Sequence, residues 1–186
     1  KVLACTADFA HRHPHTARAV TAAVLDASRW IDASVDNRVL AARTIAQPQF
    51  INTPVELIQE RLLGHYQNGL GATWNDRNPL RFSGDGAVNF PYLSDGMWFL
   101  TQFKRWGILR EHPDYLAVAR AVSQFDNYRA AAQLTGTPLP DSALRSSRLI
   151  DGTTWDGSDP ATYADAFAIR APQRAVQPAA DTLATA

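Results

Sequence analysis

The reactive side chains of this sequence are few and scattered. His11, His13 and His15 alternate around Pro14, a cluster that could in principle ligate a metal. Histidine ligands on a helix need i, i+4 spacing on one face, and these three straddle a proline in a turn, so they read as a polar loop leading into a helix. Glu56 and Glu60 stand one helical turn apart, the spacing of an acid–base pair. Glu56 is accounted for by helix capping, and Glu60 lies beside Arg61 on a solvent-facing side. Ser142, Ser146 and Ser147 neighbour arginines and no histidine. Cys5 falls in an apolar stretch that reads as buried, where a thiol is inert. Gly69-Leu70-Gly71 is not followed by Lys-Ser/Thr and follows no strand, so it is not a phosphate loop. There is no HExxH, CxxC or GxGxxG. The residues predict no catalytic site and no metal site.

The elements that would position any site begin with residues 89–107, NFPYLSDGMWFLTQFKRWG. Pro91 holds Phe90 extended. Ser94 reads as an N-cap, with Asp95 at the positive end of the helix dipole. Met97 to Trp106 contains no breaker, and Phe99, Phe103 and Trp106 recur at i, i+4, i+7. Lys104 and Arg105 suit the last turn, and Gly107 is a left-handed stop. This pattern predicts a helix over 94–106 that is apolar round more than half its girth, with Trp98 or Phe99, Phe103 and Trp106 buried against a helix at 14–33.

That helix opens with His13 at the cap and Pro14 at N1, and presents Ala17, Val20, Val24, Ala27 and Ile31 on one face. A helix over 36–46 ends at Pro48. Thr53-Pro54-Val55-Glu56 reads as a capping box for a helix over 54–63 that Gly64 ends. Residues 65–88 read as a long irregular stretch pinned to the core by Tyr66, Trp74 and Phe82, with a short strand at 87–89. Helices follow over 113–122 and 124–135, then a short one started by Asp159-Pro160. Arg12, Arg18, Arg29, Arg38 and Arg43 read as outward residues with no anion nest beside them.

Composition bounds the rest. The length of 186 residues suits one domain or one lobe. Zero formal net charge gives no reason to expect nucleic acid, one cysteine excludes an internal disulfide, and no apolar run nears the ~20 residues of a membrane span. Lys1-Val2-Leu3-Ala4-Cys5-Thr6 reads as a strand over 2–6, which needs a partner the rest of the chain barely offers. This predicts the C-terminal part of a longer chain, with any targeting signal upstream. Residues 171–186 read as a disordered tail.

The motif F-P-Y-x-S-D-x-x-W-F-L-T-Q-x-x-R-W-G resembles the C-terminal signature of the nitrate- and bicarbonate-binding proteins of bacterial ABC importers. Thr53-Pro54-Val55-Glu56 running to Arg61 and Gly64, the opening Val2–Ala10 and the helix ending Ser28-Arg29-Trp30-Ile31-Asp32 are similar to the same family. The likeness covers residues 1–170. It implies an α/β class, this chain being the mainly helical C-terminal portion of a two-lobed periplasmic-binding-protein-like (type II) fold. It implies a small inorganic anion, nitrate or else nitrite or bicarbonate, and ABC permease subunits as partners. Calcium enters only if the anion is bicarbonate; no other cofactor is implied. Localisation would be periplasmic, with an anchor upstream if there is one. The family's anion contacts lie upstream of Lys1, so no ligand residue carries over. Pro91, Tyr92, Ser94, Asp95, Trp98, Phe99, Arg105, Trp106 and Gly107 form a structural signature. A cytoplasmic nitrate sensor working through a regulatory protein is a similar alternative, told apart by an upstream signal peptide. A pyrimidine-precursor synthase-like enzyme would need an active-site motif not found here.

Overall fold

The computed structural model describes residues 2–167, which divide into two compact units. One comprises Lys1–Pro91 with Gln124–Ala143, the other Tyr92–Ser123 with Leu144–Ala186. The expected tail at 171–186 lies outside the described residues. The protein is mainly helical, as expected. Its strands form only two-stranded antiparallel hairpins among the described residues.

In the first unit, residues 2–6 are irregular and exposed, so the expected strand is absent and Cys5 is open to solvent. The reason is local. Thr6 caps a short helix, α1 (Ala7–Arg12), by accepting from the Phe9 N–H at 3.1 Å, and no strand beside residues 2–6 offers a ladder. Helix α2 (Pro14–Ala33) starts with Pro14 in its first turn and His13 at the cap position, though the imidazole makes no cap bond. It buries Leu25 and Ser28 and packs against α7 (Phe125–Thr135), where Asn127 donates to Thr21 Oγ1 at 2.9 Å. The expected apolar stripe splits. Ile31 packs on a cluster of Ala41, Ala42 and Leu62, while Val20, Val24 and Ala27 face out.

Ser34 caps α3 (Val35–Ile45) from the Asn37 N–H at 3.1 Å. Helix α4 (Val55–Leu63) has Pro54 at its cap position and no side-chain cap bond, so the Thr53–Glu56 capping box does not form. Gly64 ends it at φ 80°. The stretch after it contains a hairpin the sequence did not announce, β1 (His65–Gln67) with β2 (Thr73–Asn75). Tyr66 and Trp74 are register partners whose rings stack at 5.9 Å, so they hold the hairpin and not the core. Phe82 alone of the three expected pins packs on the Ala41–Ala42–Leu62 cluster. Residues 87–89 are not a strand: Gly86 and Val88 both donate to the Ser83 carbonyl, closing a turn.

In the second unit, α5 (Leu93–Arg105) begins one residue before the expected cap. Tyr92 occupies the cap position, and Ser94 lies buried within the first turn. The helix packs on α6 (Tyr115–Val122) and α8 (Pro160–Asp165). Its buried face is Leu93, Ser94, Met97, Thr101 and Gln102. The aromatic stripe is on the other side: Phe99 is 54% exposed, Phe103 37% and Trp106 66%. The expected partner, α2, belongs to the first unit. Small residues explain which face is buried. A Cβ on Gly96 would lie 3.3 Å from Ala119 Cβ, and one on Gly157 would meet Met97 Cε at 2.7 Å, so helix and loop approach where bulky rings would not fit. A second hairpin, β3 (Ser147–Arg148) with β4 (Thr154–Trp155), precedes α8. Asp159 caps α8 by accepting from the Thr162 N–H.

Candidate functional site

Two side-chain hubs stand out, one in each unit. In the first, Asp32 at the end of α2 is the centre. Its Oδ2 accepts from three successive backbone N–H groups, Phe82 at 3.0 Å, Ser83 at 2.7 Å and Gly84 at 3.2 Å. Its Oδ1 accepts from Arg38 Nη2 on α3. Arg38 also donates to the carbonyls of Leu62 at 2.9 Å and Leu80 at 2.7 Å. The side chains of Arg38 and Asp32 are only 15% and 18% exposed. Three converging N–H groups beside a guanidinium are the geometry that holds a planar oxyanion. Here the oxyanion is the protein's own carboxylate. Two sequence expectations are therefore corrected. Arg38 points inward, and an anion nest does exist, built by the turn at 82–84. Its signal is the Ser83-Gly84-Asp85-Gly86 run, where Gly84, Asp85 and Gly86 all take positive φ. An open cavity of about 640 Å³ adjoins it, lined by Asp26, Arg29, Trp30, Asp32, Ser83 and Asp85. Arg29 is spent on the Thr135 carbonyl.

The second hub gathers most of the signature residues. Arg145 grips Asp95 with two bonds, Nε to Oδ1 at 3.0 Å and Nη2 to Oδ2 at 2.6 Å, and its guanidinium lies 4.7 Å from the Tyr92 ring centre. The Arg145 backbone N–H donates to Ser94 Oγ at 3.0 Å, and Trp155 Nε1 donates to the Ser94 carbonyl at 2.8 Å. Trp98 Nε1 donates to the Tyr163 hydroxyl at 3.2 Å. The Arg105 guanidinium sits 3.4 Å over the Phe167 ring. Tyr92, Ser94, Asp95, Trp98 and Arg105 thus each hold a residue of segment 145–167 onto α5. Pro91 precedes the helix, Gly107 follows it at φ 72°, and Phe99 and Trp106 stay outside the hub. Ser94 was expected to cap the helix; it ties down two strands of chain instead.

The remaining candidates do not assemble. Glu60 pairs with His65 at 3.0 Å. His112 links α6 and α8: its Nδ1 lies 2.8 Å from the Tyr115 hydroxyl and its Nε2 3.3 Å from Asp165. Burial, and then the Asp165 charge, push the Tyr115 hydroxyl pKa up. Among the described residues no three or more His, Cys, Asp or Glu converge on a metal-sized site, and no helix is long and apolar enough to cross a membrane.

Comparison with known proteins places this architecture. A crystal structure of the periplasmic nitrate-binding protein NrtA from Synechocystis PCC 6803 superimposes with a TM-score of 0.78 at 31% identity, over 86% of this chain and 42% of that one. The two units are therefore a portion of a periplasmic binding-protein fold. By sequence, the nitrate/nitrite binding protein NrtA of Synechocystis sp. is 30% identical over 175 residues, 91% of this chain and 39% of that protein. The bicarbonate-binding protein CmpA of Synechococcus elongatus is 31% identical over 180 residues, covering 90% and 40%. The nitrate import ATP-binding protein NrtC of Synechocystis sp. is 27% identical over 172 residues, 91% of this chain and 25% of that protein. Residues 1–46 match the NMT1-like family. The chain is homologous to the C-terminal portion, about 40%, of the nitrate- and bicarbonate-binding proteins NrtA and CmpA, and it spans about two-fifths of their length.

Proposed function

We propose that this chain is the C-terminal part of the substrate-binding component of an ABC importer for a small inorganic anion, nitrate first, with nitrite and bicarbonate next. Residues 1–170 are the scaffold portion of that binding domain, working outside the cytoplasmic membrane and delivering ligand to permease subunits. Nothing is transformed: the ligand is held and released. The observation that carries this reading is the superposition on the nitrate-binding protein at 31% identity. The chain's own chemistry supports a scaffold role. An oxyanion receptor needs free donors beside an unneutralised cation. The two best-held guanidiniums, Arg38 and Arg145, are each taken by a carboxylate of the same unit, Asp32 and Asp95. The three N–H groups of the 82–84 nest are filled as well. We place the anion contacts upstream of Lys1 on the family resemblance, and the pairing of these two arginines is consistent with that reading.

The test is calorimetric titration at low ionic strength, where charge attraction is least screened. Residues 1–186 should show no saturable binding of nitrate, nitrite or bicarbonate, with or without calcium. A protein carrying the preceding segments should bind one of them. Saturable nitrate binding by residues 1–186, abolished by one Arg→Ala change, sinks the scaffold reading. The match to NrtC supports a second reading, in which this domain is fused to an ATP-binding subunit and senses the anion. Nucleotide binding by the complete polypeptide would favour it.

A further inference from the structure

The hairpin of the first unit carries a reactive pair that the scaffold does not use. Asn68 and Gly69 open the loop between β1 and β2, and both are exposed. The chain has seven asparagines, and this is the one followed by glycine. The backbone nitrogen that follows an asparagine can attack its side-chain carbonyl and close a cyclic imide. The attack needs a free nitrogen, a polarised carbonyl and an amide able to leave. The other asparagines each lack the first or the last. The nitrogens after Asn37, Asn52, Asn75 and Asn127 donate to the carbonyls of Ser34, Ala46, Gly64 and Gln124. Pro79, after Asn78, has no N–H to lose. The Asn89 amide is held by the Phe82 carbonyl at 2.7 Å.

At Asn68 all three conditions are met. The Gly69 N–H makes no hydrogen bond among the described residues, and nothing lies within 4 Å of where a Cβ would stand on Gly69, so its flank is open. Asn68 Oδ1 accepts from the Leu70 N–H at 2.8 Å and the Ala72 N–H at 3.1 Å, while its Nδ2 is bonded to nothing among the described residues. The two donors tie the side chain to its own loop, and they point at the oxygen on which charge develops when the carbonyl is attacked. The Asn68 N–H is anchored as well, on the Ala72 carbonyl at 3.1 Å. We propose that Asn68 is a site of self-modification, promoted by this loop. The Gly69 nitrogen gives its proton to hydroxide and bonds to Asn68 Cγ. The Cγ–Nδ2 bond breaks, and Nδ2 takes a proton from water and leaves as ammonia. Water then opens the imide at either carbonyl, leaving aspartate or isoaspartate at position 68. Aspartate keeps both donors and brings a negative charge to residues 66–75, which have none. Isoaspartate lengthens the backbone by one carbon beside the Gln67–Thr73 pair, the last in the hairpin register. The inference does not depend on which anion the protein binds.

The test incubates the chain at mildly alkaline pH and follows the exchange of –NH2 for –OH by intact mass and peptide mapping, with chromatography to separate aspartate from isoaspartate. Asn68→Asp supplies the aspartate standard and should show no further exchange at that position. The expected result is conversion at position 68 ahead of every other asparagine, at a rate proportional to hydroxide concentration. The folded chain should convert faster than the chain unfolded in guanidinium chloride by about tenfold, because two N–H groups aimed at one oxygen in an exposed loop keep part of what a buried oxyanion hole provides. A folded chain that converts no faster than the unfolded one overturns the proposal, since the loop would then shield the amide. Conversion that begins at another asparagine, a rate that does not respond to pH, or no conversion at all overturns it too.

Discussion

Replacing Asp32 with asparagine keeps the shape of the side chain and removes its charge, which isolates what the carboxylate contributes. Asp32 receives three N–H groups from residues 82–84 and one from Arg38. An amide oxygen can still accept from the nest, but more weakly, since bonds to a charged acceptor are roughly twice as strong. The amide nitrogen would face Arg38, whose side chain is only 15% exposed. Stranding one partner of a buried pair costs about 3–5 kcal/mol. The open cavity beside Asp32 lets water reach the site, so the lower end of that range, about 3 kcal/mol, is expected for Asp32→Asn. Arg38→Met leaves the carboxylate three donors and should cost less, about 2 kcal/mol, mostly from the Leu62 and Leu80 carbonyls losing their donor. In the double variant neither stranded charge exists. It should fall short of the sum of the singles by about 1.5–3 kcal/mol. The assay is urea unfolding, with hydrogen exchange at the amides of residues 82–84 to confirm where the loss occurs. Strict additivity, or a loss under about 1 kcal/mol for Asp32→Asn, would refute the claim that this pair fastens α2 and α3 to the 80–84 turn.

The other predictions concern narrower contacts. Gly86→Ala should unfold the first unit, because Gly86 has φ 87° and an added Cβ would overlap the Pro138 carbonyl oxygen; retention of the wild-type far-UV spectrum and melting temperature would contradict it. Arg145→Lys should cost less than about 1 kcal/mol, since both partners are over one-third exposed, whereas Trp155→Phe should cost about 1 kcal/mol by freeing the buried Ser94 carbonyl; both are read by urea midpoints. Acid should loosen segment 151–165. Asp151, Asp156 and Asp159 are held below the usual carboxylate range by bonds from Thr153, Ser158 and Thr162. Their stabilisation is present above the unfolded-state pKa and lost as pH falls through the lower folded values, which amide exchange in that segment will register. Alkali should do the same to α6. The raised Tyr115 pKa gives stability that is full below the unfolded phenol value and lost as pH rises through the folded one, and Tyr115→Phe should abolish that loss in an alkaline melt series.

The sequence makes helices legible and their orientation less so. Punctuation works because it is local. Pro14 starts α2, Asp159 caps α8, and Gly64, Gly107 and Gly136 stop their helices in the left-handed region. None of these needs a distant partner. The failures share the opposite property. A strand at 2–6 depends on another strand to pair with. The Thr53–Glu56 box fails because the chain enters α4 with Pro54 extended and no side-chain bond to the first turn. Arg38 looked outward because its carboxylate is six residues away, and the nest that holds that carboxylate lies 50 residues beyond Asp32. The signature at 91–107 was legible as a motif, but its chemistry lay in Arg145, Trp155 and Tyr163, which no spacing rule links to it.

The aromatic stripe of α5 shows most clearly where periodicity stops. Counting apolar positions correctly finds a helix with more greasy surface than one neighbour can cover. It then assigns the bulkiest residues to the core. In this protein the opposite happens, because α6, α8 and the loop at Gly157 approach through Gly96, Ala119 and Met97, a contact that only small or flexible side chains permit. Truncating a fully buried ring costs about 3–5 kcal/mol, but Phe99 has little left to lose in residues 1–186. Phe99→Ala should therefore leave the melting temperature of this chain nearly unchanged. A large loss in residues 1–186 would mean that the ring is packed within the unit and that this account of which face is buried is wrong.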